Sequence, residues 1–269
     1  MSVASPPVSA PVPPSTPART TAPPPRPRVG DLRESGTVRK ESVNADRWTA
    51  RGTVKVTGDV DLGQGTLDGT VSLGGKLTAT GLEYRGTLDV GGAIDVQGTL
   101  TGSGSLRAGL TFHAGDADLK GTARVLGATS VDRILTVRGS LTAPSLIVGE
   151  LTLQGEGQVA GDLVGRSVSA RLTADSAFGT IRAGSVSVRG RVPNLVEKVL
   201  GRRVTVTVQR VEADAVTLEA VDVKFVHSPK ITLGRDAHIT EYEGTIIRRH
   251  PSSRVGFESK SRPPYGLRR

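Results

Sequence analysis

Histidine is the side chain best suited to proton transfer near neutral pH and a common metal ligand, and the chain has four. His113 directly follows an apolar position and is expected to point outward. His227 and His238 are eleven residues apart near the end of the chain, and His250 lies in a basic segment. This scatter favours surface or end-cap histidines over a general base or a metal site.

Neither the carboxylates nor the glycine-rich segments complete a recognised binding motif. Asp116 and Asp118 are close enough in sequence to share a cation, but the calcium-binding nonapeptide GGxGxDxUx is missing. In TVSLGGKL, residues 70–77, Thr70 replaces the first glycine of a phosphate-binding loop and Leu77 replaces its Ser/Thr. We therefore predict no metal and no cofactor. Aspartates also recur along the chain, as on a solvated face: Asp59, Asp61, Asp68, Asp89 and Asp95.

The composition restricts both the core and the chemistry. Of 269 residues, 36% are hydrophobic but only 3% aromatic, so the core must be built from Val, Leu, Ile and Ala. Cysteine is absent, which excludes a disulfide framework, a zinc-thiolate site and a thiol nucleophile. The 34 glycines indicate many turns.

Aliphatic residues recur every six positions through the middle of the chain. Many are followed two positions later by a second apolar residue, as in Leu88 with Val90, which is the pattern of a short strand with one buried face. The positions in phase are Leu82, Leu88, Ile94, Leu100, Leu106 and Phe112, then after a slip of one residue Leu119, Val125, Val131 and Val137, and upstream Val54 with Val60 and Leu67 with Leu73.

This period predicts an all-β chain folded as a β-helix, or β-solenoid, with about three hexads in each coil. An amphipathic helix would need apolar residues at i, i+3, i+4 and i+7, and each internal glycine would cost it about 1 kcal/mol. A β-sandwich is the alternative, but its strands would be longer and its turns less regular. Hexapeptide-repeat acyltransferases and related carbonic anhydrases also use triangular β-helices. They need a histidine base, or three histidines at a metal, and the four scattered histidines here do not indicate either, so we do not predict an enzyme.

Composition and the spacing of apolar residues divide the chain into five segments. Residues 1–49 are predicted to be a disordered proline-rich basic arm, and residues 50–190 the β-helix repeats. Residues 191–201, RVPNLVEKVLG, have apolar residues at helical spacing and are predicted to form a short helical interruption. Residues 202–247 are predicted to form terminal β-coils or a cap, and residues 248–269 a basic disordered tail.

The repeats resemble those of the bactofilins, a family of polymer-forming cytoskeletal proteins. The resemblance rests on GTLDVGGAIDVQGTLTGSGSL (86–106), GSLTAPSLIVGELTLQGEGQVAGDLVG (139–165) and GSVSVRG (184–190). The resemblance covers residues 50–190 well and residues 202–247 loosely. The C-terminal domain of the division inhibitor MinC has hexads of a similar outline. The resemblance implies a right-handed β-helix that polymerises end to end without nucleotide. The repeat region is longer than usual for that family, and MSVASPPV at the start lacks a hydrophobic membrane-binding motif.

An uncapped β-solenoid favours self-association, because each end exposes an unpaired backbone edge. We therefore predict a structural, nucleotide-independent scaffold that forms a homopolymer through its ends. A non-filamentous binding module like the MinC domain, recruiting protein partners, is the alternative. One end contact is predicted among Val54, Val56 and Val60, and the other among Phe225, Val226, Ile231 and Leu233.

The net charge of +9 lies in the two terminal segments, which contribute about +3 over residues 1–30 and about +6 over residues 248–269. The C-terminal segment is a candidate contact for an anionic membrane surface or a protein partner, and less favourably for nucleic acid. We expect a cytoplasmic protein, associated with the inner membrane surface where this contact is made. The predicted contact residues are Arg248, Arg249, Arg254, Lys260, Arg262, Arg268 and Arg269.

The hexad register predicts that Ile94 points into the core. Truncating such a side chain to Ala typically costs about 2 to 5 kcal/mol, and a buried carboxylate costs more. Replacing Ile94 with Asp should therefore abolish the cooperative thermal unfolding transition of the body. A cooperative transition at the wild-type temperature would exclude this register.

Overall fold

The chain forms one 13-stranded parallel sheet in which every strand pairs with the next strand in sequence. It is seen in a computed structural model that describes residues 29–192 and 204–259. Because each strand lies directly on its predecessor, the sheet winds into a β-solenoid, and the all-β β-helix prediction is confirmed. The strands are β1 Val29–Lys40, β2 Val43–Val56, β3 Val60–Leu73, β4 Leu77–Val90, β5 Ile94–Ala108, β6 Phe112–Val125, β7 Thr129–Ala143, β8 Leu146–Leu172, β9 Ser176–Gly190, β10 Val206–Glu219, β11 Asp222–Leu233, β12 His238–Arg249 and β13 Arg254–Glu258.

Each coil has three faces, and each face turns two side chains inward. Val43 pairs with Val60 and Val60 with Leu77, a step of 17 residues, one fewer than three full hexads. In β3 the inward pairs are Val60 and Leu62 on the first face, Gly65 and Leu67 on the second, and Val71 and Leu73 on the third. The residue between the two members of a pair points outward, as expected for a strand.

The hexad register is confirmed by burial. Leu88 and Leu100 are fully buried, and Ile94 is 1% exposed. Phe112 and Val137, on either side of the predicted one-residue slip, are also buried. The slip falls within β6: Ile94 pairs with Phe112 at a step of 18 residues, whereas Leu100 pairs with Ala117 and Gly102 with Leu119 at steps of 17.

One corner of the solenoid is a column of glycines with left-handed φ. In β3, for example, Gly69 has a φ of +117° and pairs with Gly52 below and Gly86 above. A Cβ on Gly69 would meet the backbone oxygen of Gly52, so the corner has no room for a side chain. The column consists of Gly36, Gly52, Gly69, Gly86, Gly104, Gly121, Gly139 and Gly155.

The solenoid begins earlier than the sequence predicts. The predicted disordered arm includes residues 29–49, but β1 spans Val29–Lys40 and β2 begins at Val43, where a hydrophobic core with Trp48 already forms. The apolar positions of β1 are few and interspersed with charges, which hides its register. The remainder of the predicted arm, residues 1–28, lies outside the described residues.

The solenoid also extends further at its C-terminal end. Residues 204–247 form coils as predicted, because β10 pairs with β9 and is followed by β11 and β12. Residues 248–258, which the sequence places in the tail, instead complete β12 and form β13, which pairs with β12 from His238 to Tyr242. The predicted helical interruption lies largely in residues 193–203, outside the described residues. In the described ranges, no helix is both long and apolar enough to cross a bilayer.

Three glycines separate the two physical roles of the corner column. At Gly30, an added Cβ would have no atom within 4 Å, and the backbone φ is not left-handed. At Gly36 there is also space for a Cβ, but the φ is left-handed. At Gly104 the φ is left-handed and a Cβ would in addition clash with the backbone of Gly86. We expect Gly30→Ala to be nearly neutral and Gly36→Ala to cost about 1 to 2 kcal/mol. Gly104→Ala should cost more than Gly36→Ala, as measured by thermal or denaturant unfolding. Equal effects at Gly36 and Gly104 would contradict close coil stacking at this corner.

Candidate functional site

The predicted end contacts are interior to the solenoid. Val54 pairs with Val38 on one side and Val71 on the other, and Val226 pairs with Tyr242, so further coils cover both. Phe225 is partly exposed, but on the side of the solenoid, where the Arg210 guanidinium stacks on its ring at 4.6 Å. The ends lie further out because β1, β12 and β13 extend the stack. The predicted contact residues that are buried in the core are Val54, Val56, Val60, Val226, Ile231 and Leu233.

The N-terminal end of the described solenoid is the free edge of β1. Its inward positions include Leu32 and Val38, which pack against the core but are only partly covered. Glu34 takes an inward position and accepts a hydrogen bond from the indole N–H of Trp48 at 3.0 Å. Lys40 Nζ lies 2.6 Å from Glu34 Oε1. The end is therefore a ring of apolar side chains with an inward ion pair across it.

The C-terminal end consists of β13 and of the part of β12 beyond Glu243. Tyr242, Ile246 and Val255 pack against the core but are partly exposed. Tyr242 pairs with Glu258 of β13, whereas no further strand covers Ile246 or Val255 in the described residues. Ile247 and Phe257 are each 62% exposed beside them. This end is more apolar than the N-terminal end, and it presents a strand edge with free backbone groups.

The basic residues predicted for the tail divide into two groups. Arg248 and Arg249 end β12 and Arg254 begins β13, so all three belong to the last coils. Arg249 donates a hydrogen bond to the carbonyl oxygen of Ser253 at 3.1 Å, which places its guanidinium at the C-terminal end. Lys260, Arg262, Arg268 and Arg269 lie outside the described residues.

The histidines and aspartates serve as links between neighbouring coils. His113 points outward, as predicted, with Nε2 3.7 Å from Asp132, and His227 Nδ1 lies 3.0 Å from Glu243 Oε2. Asp116 accepts a hydrogen bond from Arg133 Nε at 3.0 Å, which lowers the pKa of its carboxyl below the usual value. Among residues 29–192 and 204–259, no three His, Asp or Glu side chains are grouped so that they would hold a metal ion.

A cavity of about 290 Å³ lies between the second and third faces near the C-terminal end. Its polar lining is largely paired internally: His238 Nδ1 is 3.6 Å from Asp222, and the Asp236 N–H donates to Ser252 Oγ at 3.1 Å. Arg191 and Arg254 also line it. The cavity-lining Ser252 Oγ lies 2.9 Å from His250 Nδ1, but it also accepts the Asp236 N–H, and His250 is not among the lining residues. The ends of the solenoid, with their unpaired strand edges, are the stronger candidate site.

Comparison of the chain with models of protein families, with curated proteins and with solved structures found no match. The resemblance to bactofilins therefore stays a prediction.

Sequence reasoning missed β1, although a signal for it was present, and it also missed the Glu34 network. Gly-Thr-Val at 36–38 repeats at 52–54 and at 69–71, so the corner motif extends one coil before the first predicted hexads. No comparable signal marks Glu34, because a charged residue at an inward position contradicts the hydrophobic pattern from which the register is inferred.

Trp48 provides a specific probe of the N-terminal end, because it is the chain's single tryptophan and is fully buried. Glu34→Ala removes the acceptor of its indole N–H and the partner of Lys40, which should destabilise the first coils by about 1 to 3 kcal/mol. We expect greater quenching of its fluorescence by acrylamide. Glu41→Ala, an exposed turn residue, is the matched control and should leave quenching unchanged. Equal quenching in both variants would contradict the proposed network.

Proposed function

We propose that this protein is a structural scaffold that forms a homopolymer by stacking its β-solenoid end to end, without nucleotide. The free edges of β1 and β13 carry the proposal. Within residues 29–192 and 204–259, each of these strands pairs on one side only, at the opposite limits of the parallel ladder. An unpaired parallel edge is a template for a further strand, and a second copy supplies one of matching geometry.

Continuing the coil across the joint gives a definite register. Leu32 lies in the same inward column as Ile246, and Val38 in the same column as Ser253. Stacking β1 of one copy on the last coil of another therefore covers the partly exposed Leu32 and Ile246 together. Burying such apolar surface contributes about 25 cal/mol for each Å² removed from water.

The charges at the joint both support and oppose this register. Glu34 lies in the column of Arg249, so the inward carboxylate of one copy meets a guanidinium of the next. On the outer surface, Arg33 falls in the column of Arg248, and directly opposed like charges destabilise a strand pair. The opposing pair is exposed and is screened by salt, whereas the Glu34 contact is partly enclosed.

One observation favours the alternative of a binding module that does not form filaments. Inward-pointing charges at an edge strand are a device that prevents edge-to-edge association, and Glu34 with Lys40 fits that description. In that case the N-terminal end would be a cap, and protein partners would bind elsewhere. The scaffold role would remain, without the polymer.

Two variants with opposite ends blocked distinguish these functions. Leu32→Asp places a carboxylate at the N-terminal end and Ile246→Asp at the C-terminal end, while Thr217→Asp, outward on β10, is the control. All three chains also carry Ile147→Glu, which replaces an apolar side chain exposed on the side of the solenoid and so limits association to the ends. At moderate salt, the control should then sediment as polymer in analytical ultracentrifugation and each end variant alone as a single chain. An equimolar mixture of the two end variants should form pairs, because each retains one functional end.

The outcome that would overturn end-to-end assembly is a wild-type chain that sediments as a monomer at micromolar concentration. Pairs formed by either end variant alone would instead indicate joints between like ends. Thermal unfolding of each variant, followed by circular dichroism, establishes that the solenoid itself is intact.

A further inference from the structure

Large hydrophobic side chains are exposed in only two kinds of place among the described residues. Three of them, Val29, Ile247 and Phe257, lie at the ends of the solenoid. The other five lie on its side, on the first face and its two corners in consecutive coils from β5 to β8. We call these five the lateral patch: Leu110, Leu126, Ile134, Ile147 and Val164.

The centre of the lateral patch is an outward column on the first face. Ile147 is 61% exposed. A Cβ on Gly165 would lie 2.8 Å from the backbone oxygen of Val148, which aligns Gly165 with Val148 and therefore Val164 with Ile147 one coil below. Below Ile147 the column continues through Ser130, His113, Asp95 and Thr78. Above Val164 it continues through Arg182, Glu212, His227 and Glu243.

The charged and apolar residues of this column match those of the same column in a second copy that runs in the opposite direction. Consider a two-fold axis in the contact plane, perpendicular to the solenoid axis, that passes between Ile147 and Val164. It places Ile147 of one copy against Val164 of the other, His113 against Glu212, and Asp95 against His227. Each histidine then faces a carboxylate, and the two apolar residues at the centre are buried together.

The same face in a parallel arrangement is not complementary. A two-fold axis along the solenoid places each residue opposite its own copy, so Asp95 meets Asp95 and Glu212 meets Glu212. Opposed like charges at a contact disfavour that arrangement. The charge pattern thus selects an antiparallel second copy as the occupant of the lateral patch.

We infer that two copies of this chain pair side by side and antiparallel through the first face, with Ile147 and Val164 at the centre. The contact uses the side of the solenoid and is independent of its ends. A polymer built by end-to-end stacking would in this way pair with a second polymer of opposite direction. Chains that do not stack end to end would form a discrete dimer.

The absence of cysteine from the chain allows a clean cross-linking test. His113→Cys and Glu212→Cys are introduced into separate full-length chains, which are oxidised alone and as an equimolar mixture. The two positions are five coils apart within one chain, about 24 Å, so the parallel pair about a two-fold axis along the solenoid keeps them apart, whereas the antiparallel pair brings them together. We expect the mixture to give at least about tenfold more cross-linked dimer than either chain alone.

A variant at the centre tests the patch itself. Ile147→Glu, added to both cysteine chains, places carboxylates in the apolar contact and should remove the mixed dimer. Thr152→Glu, outward on the second face of the same coil, is the matched control and should leave it unchanged. The inference is overturned if the mixture gives no excess of dimer, if single chains cross-link equally well as in a parallel pair, or if Ile147→Glu has no effect. Because cross-linked dimers are counted on denaturing gels, these results hold whether or not the ends also associate.

Discussion

Parallel hydrogen bonding between successive coils is the interaction on which the rest of this structure depends. Each coil satisfies its backbone groups with the coils before and after it. Paired positions are therefore 15 to 19 residues apart, except from β9 to β10, where the step is 30 residues. Inward aliphatic residues then stack in six columns, and a corner such as that at Gly69 must be occupied by glycine. The same ladder leaves two places where backbone pairing is incomplete in the described solenoid, the free edges of β1 and β13.

The surface of the solenoid follows from this constraint. Outward residues stand in columns about 4.8 Å apart, so a charged residue meets the residue one coil away, and pairs such as Arg133 with Asp116 form between coils. Several carboxylates and histidines take part in such links within the chain. Exposed apolar side chains are thereby left as the distinctive features of the surface, at the ends and in the lateral patch. A molecule with this surface is suited to contacts with other macromolecules.

The hexad period was sufficient to predict the fold, the coil length and the inward register, because each depends on the regular burial of aliphatic residues such as Ile94. The limits of the solenoid were not predictable by the same reasoning. β1 carries Glu34 and Lys40 at inward positions, and β12 ends in two arginines, since a terminal coil is covered on one side only. The proposed end site was therefore misplaced by one or more coils: Val54 and Ile231 look like end residues only while the outer coils go unrecognised. The lateral patch had no sequence signal, because the alignment of Ile147 with Val164 depends on the number of residues in the step between coils.

End-to-end assembly requires that the ladder of backbone hydrogen bonds between coils continue from one chain into the next. Thirteen coils at about 4.8 Å give a chain about 62 Å long, so the claim has a definite length scale. The most direct measurement is cryo-electron microscopy of the purified full-length protein in nucleotide-free buffer. We predict unbranched filaments with an axial repeat of about 62 Å, in which the spacing of about 4.8 Å continues across each joint. Single particles one chain long at every concentration examined would contradict it.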